Sequence, residues 1–465
     1  MARAKKEAAL TPEERLQAAL VPDWERPYKL PENWCWVRLY SLAHIISKGT
    51  TPKGGKDAYV EKGIRFLRIE NINEDGSISH ENIKHITEEM HTGFLRRSIL
   101  CKDDILISIA GTLGKTGIVG EADLPLNTNQ AISFVRLIRG NLLPQYIKMS
   151  IDNPKTQDML ISQAKVTSIP NLTLEIIGNC AIPLAPLAEQ QRIVDRIESL
   201  FAKLDEAKEK AQAVVDSFET RKAAILHKAF TGELTAKWRE EHDVGMESWE
   251  KKRLSDVVTE FKYGTSEKSD YNNKGIPVLR IPNIGDDGID LSDIKYLNHR
   301  NVDSESQIHE GEILIIRSNG SRDLVGKAVL VPELGCEYAY ASFLIRAKPN
   351  HSIINAHYLT IFLNSTDARG QMFRRAKSSA GINNINTKEL GAISLTVPSL
   401  PEQDEIVHII NEMMDKDQQS KEAAEAVLDQ IDLMKKSILA RAFRGELGTN
   451  DPSEESAVEL LKRVL

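Results

Sequence analysis

The sequence predicts an α+β protein made of two copies of one mixed α/β domain, each followed by a long helix. Three observations carry that prediction. Gly63-Ile-Arg-Phe-Leu-Arg-Ile-Glu-Asn-Ile-Asn-Glu-Asp-Gly76 matches Gly275-Ile-Pro-Val-Leu-Arg-Ile-Pro-Asn-Ile-Gly-Asp-Asp-Gly288 at nine of fourteen positions. Each copy also ends alike: Pro186-Leu-Ala-Glu-Gln190 answers Ser399-Leu-Pro-Glu-Gln403, and Ala229-Phe-Thr-Gly-Glu-Leu234 answers Ala442-Phe-Arg-Gly-Glu-Leu447. Between those anchors the spacing is identical, and the first stretch, Glu189 to Thr231, runs 43 residues without proline or glycine. Solenoid repeats run to roughly 20 to 50 residues, so a repeat of this length is a duplicated domain with its helix.

Along the chain, residues 1–33 read as an amphipathic approach segment. Leu10-Thr-Pro-Glu-Glu-Arg15 offers a capping box for a short helix, and it faintly echoes Leu234-Thr-Ala-Lys-Trp-Arg239 of the connector. The globular copies span 34–188 and 249–401, the long helices 189–234 and 402–447, with a connector at 235–248 and a tail at 448–465. Ile64 to Ile69, Pro277 to Ile281, Asp104 to Ile107 and Glu312 to Ile316 read as buried strands. Pro144 to Met149 and Ala356 to Phe362 read as helical.

The helices carry apolar residues in steps of four and three, the spacing of a coiled-coil seam. In the first these are Ile193, Ile197, Leu200, Leu204, Val214, Phe218 and Ile225; in the second Ile406, Ile410, Met413, Val427, Ile431, Met434 and Ile438. Arg221, Asp417 and Ser420 are polar seam positions, either tolerated locally or fixing the register. At about 1.5 Å per residue each helix spans roughly 65 Å, a length that suits a spacer.

Composition excludes several classes of protein. With 41% hydrophobic and 27% charged residues the chain is globular, with no apolar run of membrane-spanning length, and it is expected in the cytoplasm. Cys35, Cys101, Cys180 and Cys336 are scattered, so neither a metal site nor a disulfide framework is expected. The net charge of −7 is uneven: 17 basic face 15 acidic residues in 34–188 and 19 face 18 in 249–401, whereas the second helix carries 6 against 11. Slightly basic globular parts permit local contacts with nucleic acid.

No catalytic signature emerges. His80 and His85 are five apart, where one helix face needs four, and Gly111-Thr-Leu-Gly-Lys-Thr116 has its glycines too close for a phosphate loop. No Pro-Pro dipeptide of an amino-methyltransferase motif occurs. The expected role is to hold other molecules.

Taken with the entry motifs Trp34-Cys-Trp-Val-Arg-Leu39 and Gly49-Thr-Thr-Pro52, answered by Trp249-Glu-Lys-Lys-Arg-Leu254 and Gly264-Thr265, these repeats resemble the specificity subunit of type I restriction-modification enzymes. The second copy departs in lacking the proline after Gly-Thr. The resemblance covers nearly the whole chain. It implies two target recognition domains, each reading half of a split sequence in double-stranded DNA, with the helices paired as an antiparallel coiled coil in a pseudo-twofold arrangement. It implies two methyltransferase subunits forming an adenine-N6 methylase, and restriction or motor subunits for cleavage. S-adenosylmethionine, ATP and magnesium would sit on those partners, none on this chain. The acidic helix faces and Trp238 would then be docking surfaces for the methyltransferase subunits, with a solvated coil surface as the alternative for any single charge. A coiled-coil scaffold whose duplicated domains bind protein or another polymer is the alternative.

Residue types that meet bases and phosphates recur at matching loops. In the first copy they are Thr50, Lys53, Arg68, Asn71, Thr112, Lys115, Asn129, Gln130, Lys165 and Ser168; in the second Thr265, Ser266, Arg280, Asn283, Arg317, Asn319, Ser321, Arg322, Lys377 and Ser379. Arg68 and Arg280 recur identically, so a structural or phosphate role fits them better than base reading. Arg317-Ser-Asn-Gly-Ser-Arg322 has no basic counterpart at Ser108-Ile-Ala-Gly111, and divergence at one location is what reading two different half-sites requires; a solvated loop is the alternative.

Overall fold

The computed structural model describes residues 11–465 apart from 53, 139, 141, 167–169, 273, 287, 299–306, 380 and 381. It resolves into two compact units: the chain up to Lys210 with Ala426–Leu465, and Ala211–Glu425. The boundary runs through both long helices, so each helix contributes a part of its length to each unit, where the sequence read each helix as a separate block.

In the first unit α1 (Pro12–Ala19) opens with the expected capping box, Thr11 and Glu14 exchanging bonds with each other's backbone. Strand β1 (Cys35–Arg38) leads into β2 (Ala43–Lys48), β3 (Ile64–Leu67), β4 (Lys84–Ile86), β5 (Ile105–Ser108), β6 (Thr116–Ile118), β7 (Leu126–Thr128) and β8 (Ile132–Leu137). Helix α2 (Pro144–Asp152), β9 (Lys165–Val166), β10 (Pro170–Asn171) and β11 (Ala181–Leu184) complete the copy before α3 (Leu187–Asp216). An antiparallel sheet runs β2-β8-β5-β6; a second runs β4-β3-β7 with β3 and β7 parallel; β1 pairs with β11. Alternation explains the unbroken apolar runs. Ile105, Ile107 and Val135 pack in one core with α2, while Leu106, Ile132 and Phe134 fill another with Leu67 and Leu126 of the second sheet. A strand covered on both faces has no solvent side to write polar residues on.

Helix α4 (Phe218–Thr231), α5 (Ala236–Glu241), β12 (Glu250–Arg253), β13 (Val258–Tyr263), β14 (Pro277–Leu279), β15 (Lys295–Tyr296), β16 (Gln307–Ile308), β17 (Ile313–Ile316), β18 (Ser318–Asn319), β19 (Ala328–Leu330), β20 (Tyr338–Tyr340) and β21 (Leu344–Pro349) follow in the second unit. They are succeeded by α6 (Ala356–Asn364), β22 (Lys377–Ser379), β23 (Ile382–Asn384), β24 (Ser394–Val397) and α7 (Leu400–Ala442), and the chain closes with α8 (Ala457–Val464) in the first unit. The second copy repeats the first strand for strand: β13-β21-β17-β19, β15-β14-β20 with β14 and β20 parallel, and β12 with β24. It adds β16 beside β20, and β18 beside the β22–β23 hairpin.

The duplicated helix-start motif is a latch. In the first unit the Trp34 indole donates to Glu189 at 2.7 Å, and Gln190 accepts from Leu143 N while donating to the Ala185 carbonyl. In the second unit Trp249 donates to Glu402 at 3.0 Å, and Gln403 accepts from Asn355 N while donating to the Pro398 carbonyl. All four carboxylate and amide side chains are buried. The remaining donors to Glu402 are Thr235 and Arg239 of the connector; those to Glu189 are Thr449 and Asn450 of the tail. The connector's counterpart in the first unit is therefore the tail, not the N-terminal segment where the sequence heard an echo; α1 instead packs on α8.

Two helix expectations are corrected. The first helix breaks at Ser217, whose hydroxyl bonds the Ala213 carbonyl while Arg221 donates to Val214 O and to the Ser217 hydroxyl. Side chains that bond carbonyls one turn back bend helices. In the second helix Met413, Val427 and Met434 are exposed, whereas Met414, Lys421, Leu428 and Lys435 are half-buried in their place. Lys435 pairs with Asp205 at 2.5 Å over the Phe201 ring, and Lys421 lies 4.7 Å over Phe218. Aliphatic lysine stems cover apolar surface while their ammonium groups reach an aromatic face or a carboxylate. Reading only apolar residues therefore slipped to the neighbouring position. Ile193, Ile197, Ile406, Ile410 and Ile431 are buried; Leu200, Leu204, Val214, Phe218, Ile225 and Ile438 are half-buried; Ser420 is exposed.

Candidate nucleic-acid interface

In each copy one end of the four-stranded sheet gathers the polar loops. In the first, β2 and β5 end there and β8 begins there, so Thr50, Thr112, Asn129 and Gln130 share that rim. Gly49 N donates to Ile132 O and Thr50 N to Thr128 O, binding the Gly-Thr loop across the strand ends. Any Cβ at Gly49 would overlap the carbonyl oxygens of Thr128 and Asn129, and one at Gly264 those of Tyr340 and Ala341. That close approach is why glycine stands at both places. The β9–β10 hairpin joins the rim through an Ala110–Asn171 bridge.

Thr112 and Gln130 are exposed, while Thr50, Asn129 and Lys115 are half-buried. Lys115 faces Glu74 at 3.2 Å, and Asn129 Oδ1 accepts from Ala131 N. Lys53 and Ser168 lie outside the described residues. Lys165 lies in β9, and its side chain is likewise outside them. Gly111 and Gly114 both have left-handed backbones, φ 75° and 78°, and close the tight β5–β6 connection around Ser108, so this loop is a turn and not a phosphate cradle. His80 bonds Asp123 at 2.7 Å rather than pairing with His85.

The second copy builds a larger rim. Thr265 N donates to Tyr340 O, Ser342 N to Thr265 O, and Arg317 N to Phe343 O. Ser318 and Asn319 pair with Asn384 and Asn383, so Arg317–Arg322 and the β22–β23 hairpin form one three-stranded flap. Ser266, Ser321 and Arg322 are exposed, whereas Thr265, Arg317 and Asn319 are half-buried. Arg322 donates to Phe373 O at 3.0 Å, and Asn319 Oδ1 caps Ser321 N. Lys377 and Ser379 lie in β22, their side chains outside the described residues.

Two expected contacts are corrected. Asn71 and Asn283 are buried, and each Oδ1 accepts from the backbone of the arginine three residues earlier. Asn283 Nδ2 donates onward to the Asp290 and Asp293 carbonyls. A buried polar side chain satisfied this way holds a turn and has no face for a base. Arg68 pairs with Glu70 at 2.8 Å, and Arg280 with Asp293 at 3.1 Å. The Tyr271 hydroxyl, with Arg280, holds the Asp293 carboxyl below the usual carboxylate range. Sequence reading also passed over Tyr263 and Phe343, which stand exposed on the second rim. The only available signal was an aromatic residue where the first copy has Lys48 or Ala131.

Two copies of one fold, each presenting a polar, partly basic loop rim at the same sheet end and each latched to a long helix, make a duplicated recognition module. The model of the type I restriction modification DNA specificity domain matches residues 31–215 and again 246–428, and the chain belongs to that family. It is 26% identical over 458 residues to the type I restriction enzyme EcoKI specificity subunit of Escherichia coli K12, covering 94% of this chain and 96% of that protein. It is 24% identical over 436 residues to the StySPI specificity subunit of Salmonella potsdam, covering 90% of each. The fold is that of the HsdS subunit from Thermoanaerobacter tengcongensis, with a TM-score of 0.63 at 20% identity over 91% of this chain and all of that one. No helix among the described residues is long and apolar enough to cross a membrane.

Proposed function

We infer from its membership of this family that the chain acts as a specificity subunit and not itself as an enzyme. We propose that it recognises a bipartite target in double-stranded DNA, one half-site per globular copy, and that the long helices act as an antiparallel coiled-coil spacer setting the gap. The observation that carries this reading is the repeated rim, with the same Gly-Thr loop and sheet end in both copies but different side chains in the loop after β5 and β17. Contacts within each unit support the antiparallel course. In the first, Arg192 meets Glu454 and Asp205 meets Lys435; in the second, Arg221 meets Asp417 and Arg239 meets Glu402. In both, the partner's number falls as the chain advances, and Asp205–Lys435 and Arg221–Asp417 join helix to helix.

Half-sites read from one face of B-form DNA lie roughly 34–36 Å apart, within reach of the second helix at roughly 65 Å and of the first, whose two segments α3 and α4 together have a similar length. A stiff spacer makes the gap part of the recognised sequence, because a wrong gap also rotates one half-site about the DNA axis. The helices and their acidic faces would dock two methyltransferase subunits, and the assembly would take restriction or motor subunits for cleavage. S-adenosylmethionine, ATP and magnesium would be bound by those partners. The site of action would be the cytoplasm.

Mapping methylated adenines in cells that carry this chain with its methyltransferase tests the reading. A split motif with a fixed gap is expected, and one short unsplit motif would overturn it. Removing one heptad from both helices should abolish the motif or change its gap.

A further inference from the structure

The two rims carry different side chains at one equivalent backbone position. Ile109 N donates to Ala131 O at 2.8 Å and its carbonyl accepts from Leu172 N at 3.0 Å; Arg317 N donates to Phe343 O at 2.8 Å and its carbonyl accepts from Ile385 N at 3.0 Å. The same pair of bonds brackets both residues, so Ile109 and Arg317 occupy equivalent places. Ile109 is buried and carries no donor. Arg317 is half-buried with its guanidinium 4.5 Å over the Tyr263 ring. Its Nε donates to Asn384 Oδ1 at 3.2 Å, and Nη1 leans on the Ser342 carbonyl at 3.4 Å. Among the described residues Nη2 has no partner. Phe343, 57% exposed, stands beside it where the first copy has Ala131.

We infer that Arg317 reads a guanine in the half-site of the second domain, with Tyr263 and Asn384 as positioning residues. The inference rests on the proposed bipartite reading. Stacking on the ring and the Nε tether hold the guanidinium plane, so little side-chain entropy remains to be lost on binding. The end of the fork, Nη1 with Nη2, is the donor pair that matches O6 and N7 of guanine in the major groove. A phosphate contact carries no sequence information and would be wanted at both half-sites. Thr50 with Thr265 and Arg68 with Arg280 recur in that way; Arg317 does not.

The test uses the assembled methyltransferase with wild-type chain, Arg317→Ala, Arg317→Gln and Asn384→Ala. Methylated motifs are mapped in cells, and the purified complexes are titrated with duplexes substituted one base pair at a time. Relaxation at a single guanine of one half-site is expected for Arg317→Ala, with discrimination there falling about 5- to 150-fold and the other half-site unchanged. Arg317→Gln should move the preference at that position towards adenine, and Asn384→Ala should weaken the same position alone. An unchanged motif with uniformly weaker binding would make Arg317 a phosphate contact and overturn the inference. Loss of all duplex binding by both Arg317 variants would make it structural and overturn it too, as would a wild-type motif without a G·C pair. A wild-type motif that is not split sinks the bipartite reading itself, whatever Arg317 does.

Discussion

Glu189 and Glu402 sit at the same turn of the same duplicated motif, yet their surroundings differ in one respect. Each is fully buried and each accepts a tryptophan indole. Glu402 also meets the guanidinium of Arg239 at 2.6 Å, a pair almost sealed from solvent. Glu189 instead receives the neutral side chains of Asn450 and Thr449, while Arg192, one turn along the same helix, is engaged with Glu454. Burial accordingly raises the Glu189 carboxyl above its ordinary value, with the Trp34 and Asn450 bonds opposing the shift. Duplication preserved the geometry of the latch while its electrostatics diverged: one copy closes on an ion pair, the other on a hydrogen-bonded carboxyl.

The sharpest way to break this comparison is to neutralise both. Glu402→Gln leaves Arg239 buried beside no charge and should cost about 3–5 kcal/mol, the range for removing one partner of a buried pair. Glu189→Gln keeps an oxygen for Trp34 and Asn450, and should change stability by less than about 1 kcal/mol. Thermal unfolding of the purified chain, with hydrogen exchange to locate the loss, distinguishes them; equal losses would end the argument.

Next in size are the rim glycines. Gly49→Ala and Gly264→Ala should each destabilise by about 1–3 kcal/mol, as overpacking does, because the colliding atoms are backbone carbonyls that cannot rotate away. Here the copies should behave alike, and a large difference between them would mean the two Gly-Thr loops are not equivalent.

The smallest effect is in pH. A carboxyl raised by burial prefers its protonated form in the fold, so its contribution is fully present below the ordinary carboxylate value and is lost as pH rises through the folded value. Wild-type chain should therefore fall short of Glu189→Gln near neutrality, and the gap should close as the medium is acidified. A gap that widens with acid would show that Glu189 is held ionised.

Legibility was uneven for physical reasons. Strand and helix existence could be read because both faces of the sheets are apolar and the capping box at Thr11 is local chemistry. The second helix's seam was misread at Met413, Val427 and Met434, because Met414 and Leu428 stand beside equally apolar neighbours and Lys421 and Lys435 present apolar stems that a hydrophobic pattern ignores. Asn71 and Asn283 have a type and loop position that suit base contacts, and nothing in one sequence says that their amides turn inward.

By itself the sequence determined the duplication, the fold class and the family resemblance, since these depend on periodicity and on motifs a few residues long. Which side chains face out at the rim, that the tail rather than the N-terminal segment answers the connector, and that Ile109 and Arg317 are equivalents were decided by tertiary structure. Those facts depend on hydrogen bonds between residues far apart in the chain, such as Arg317 with Asn384 and Asn450 with Glu189, which no local pattern encodes.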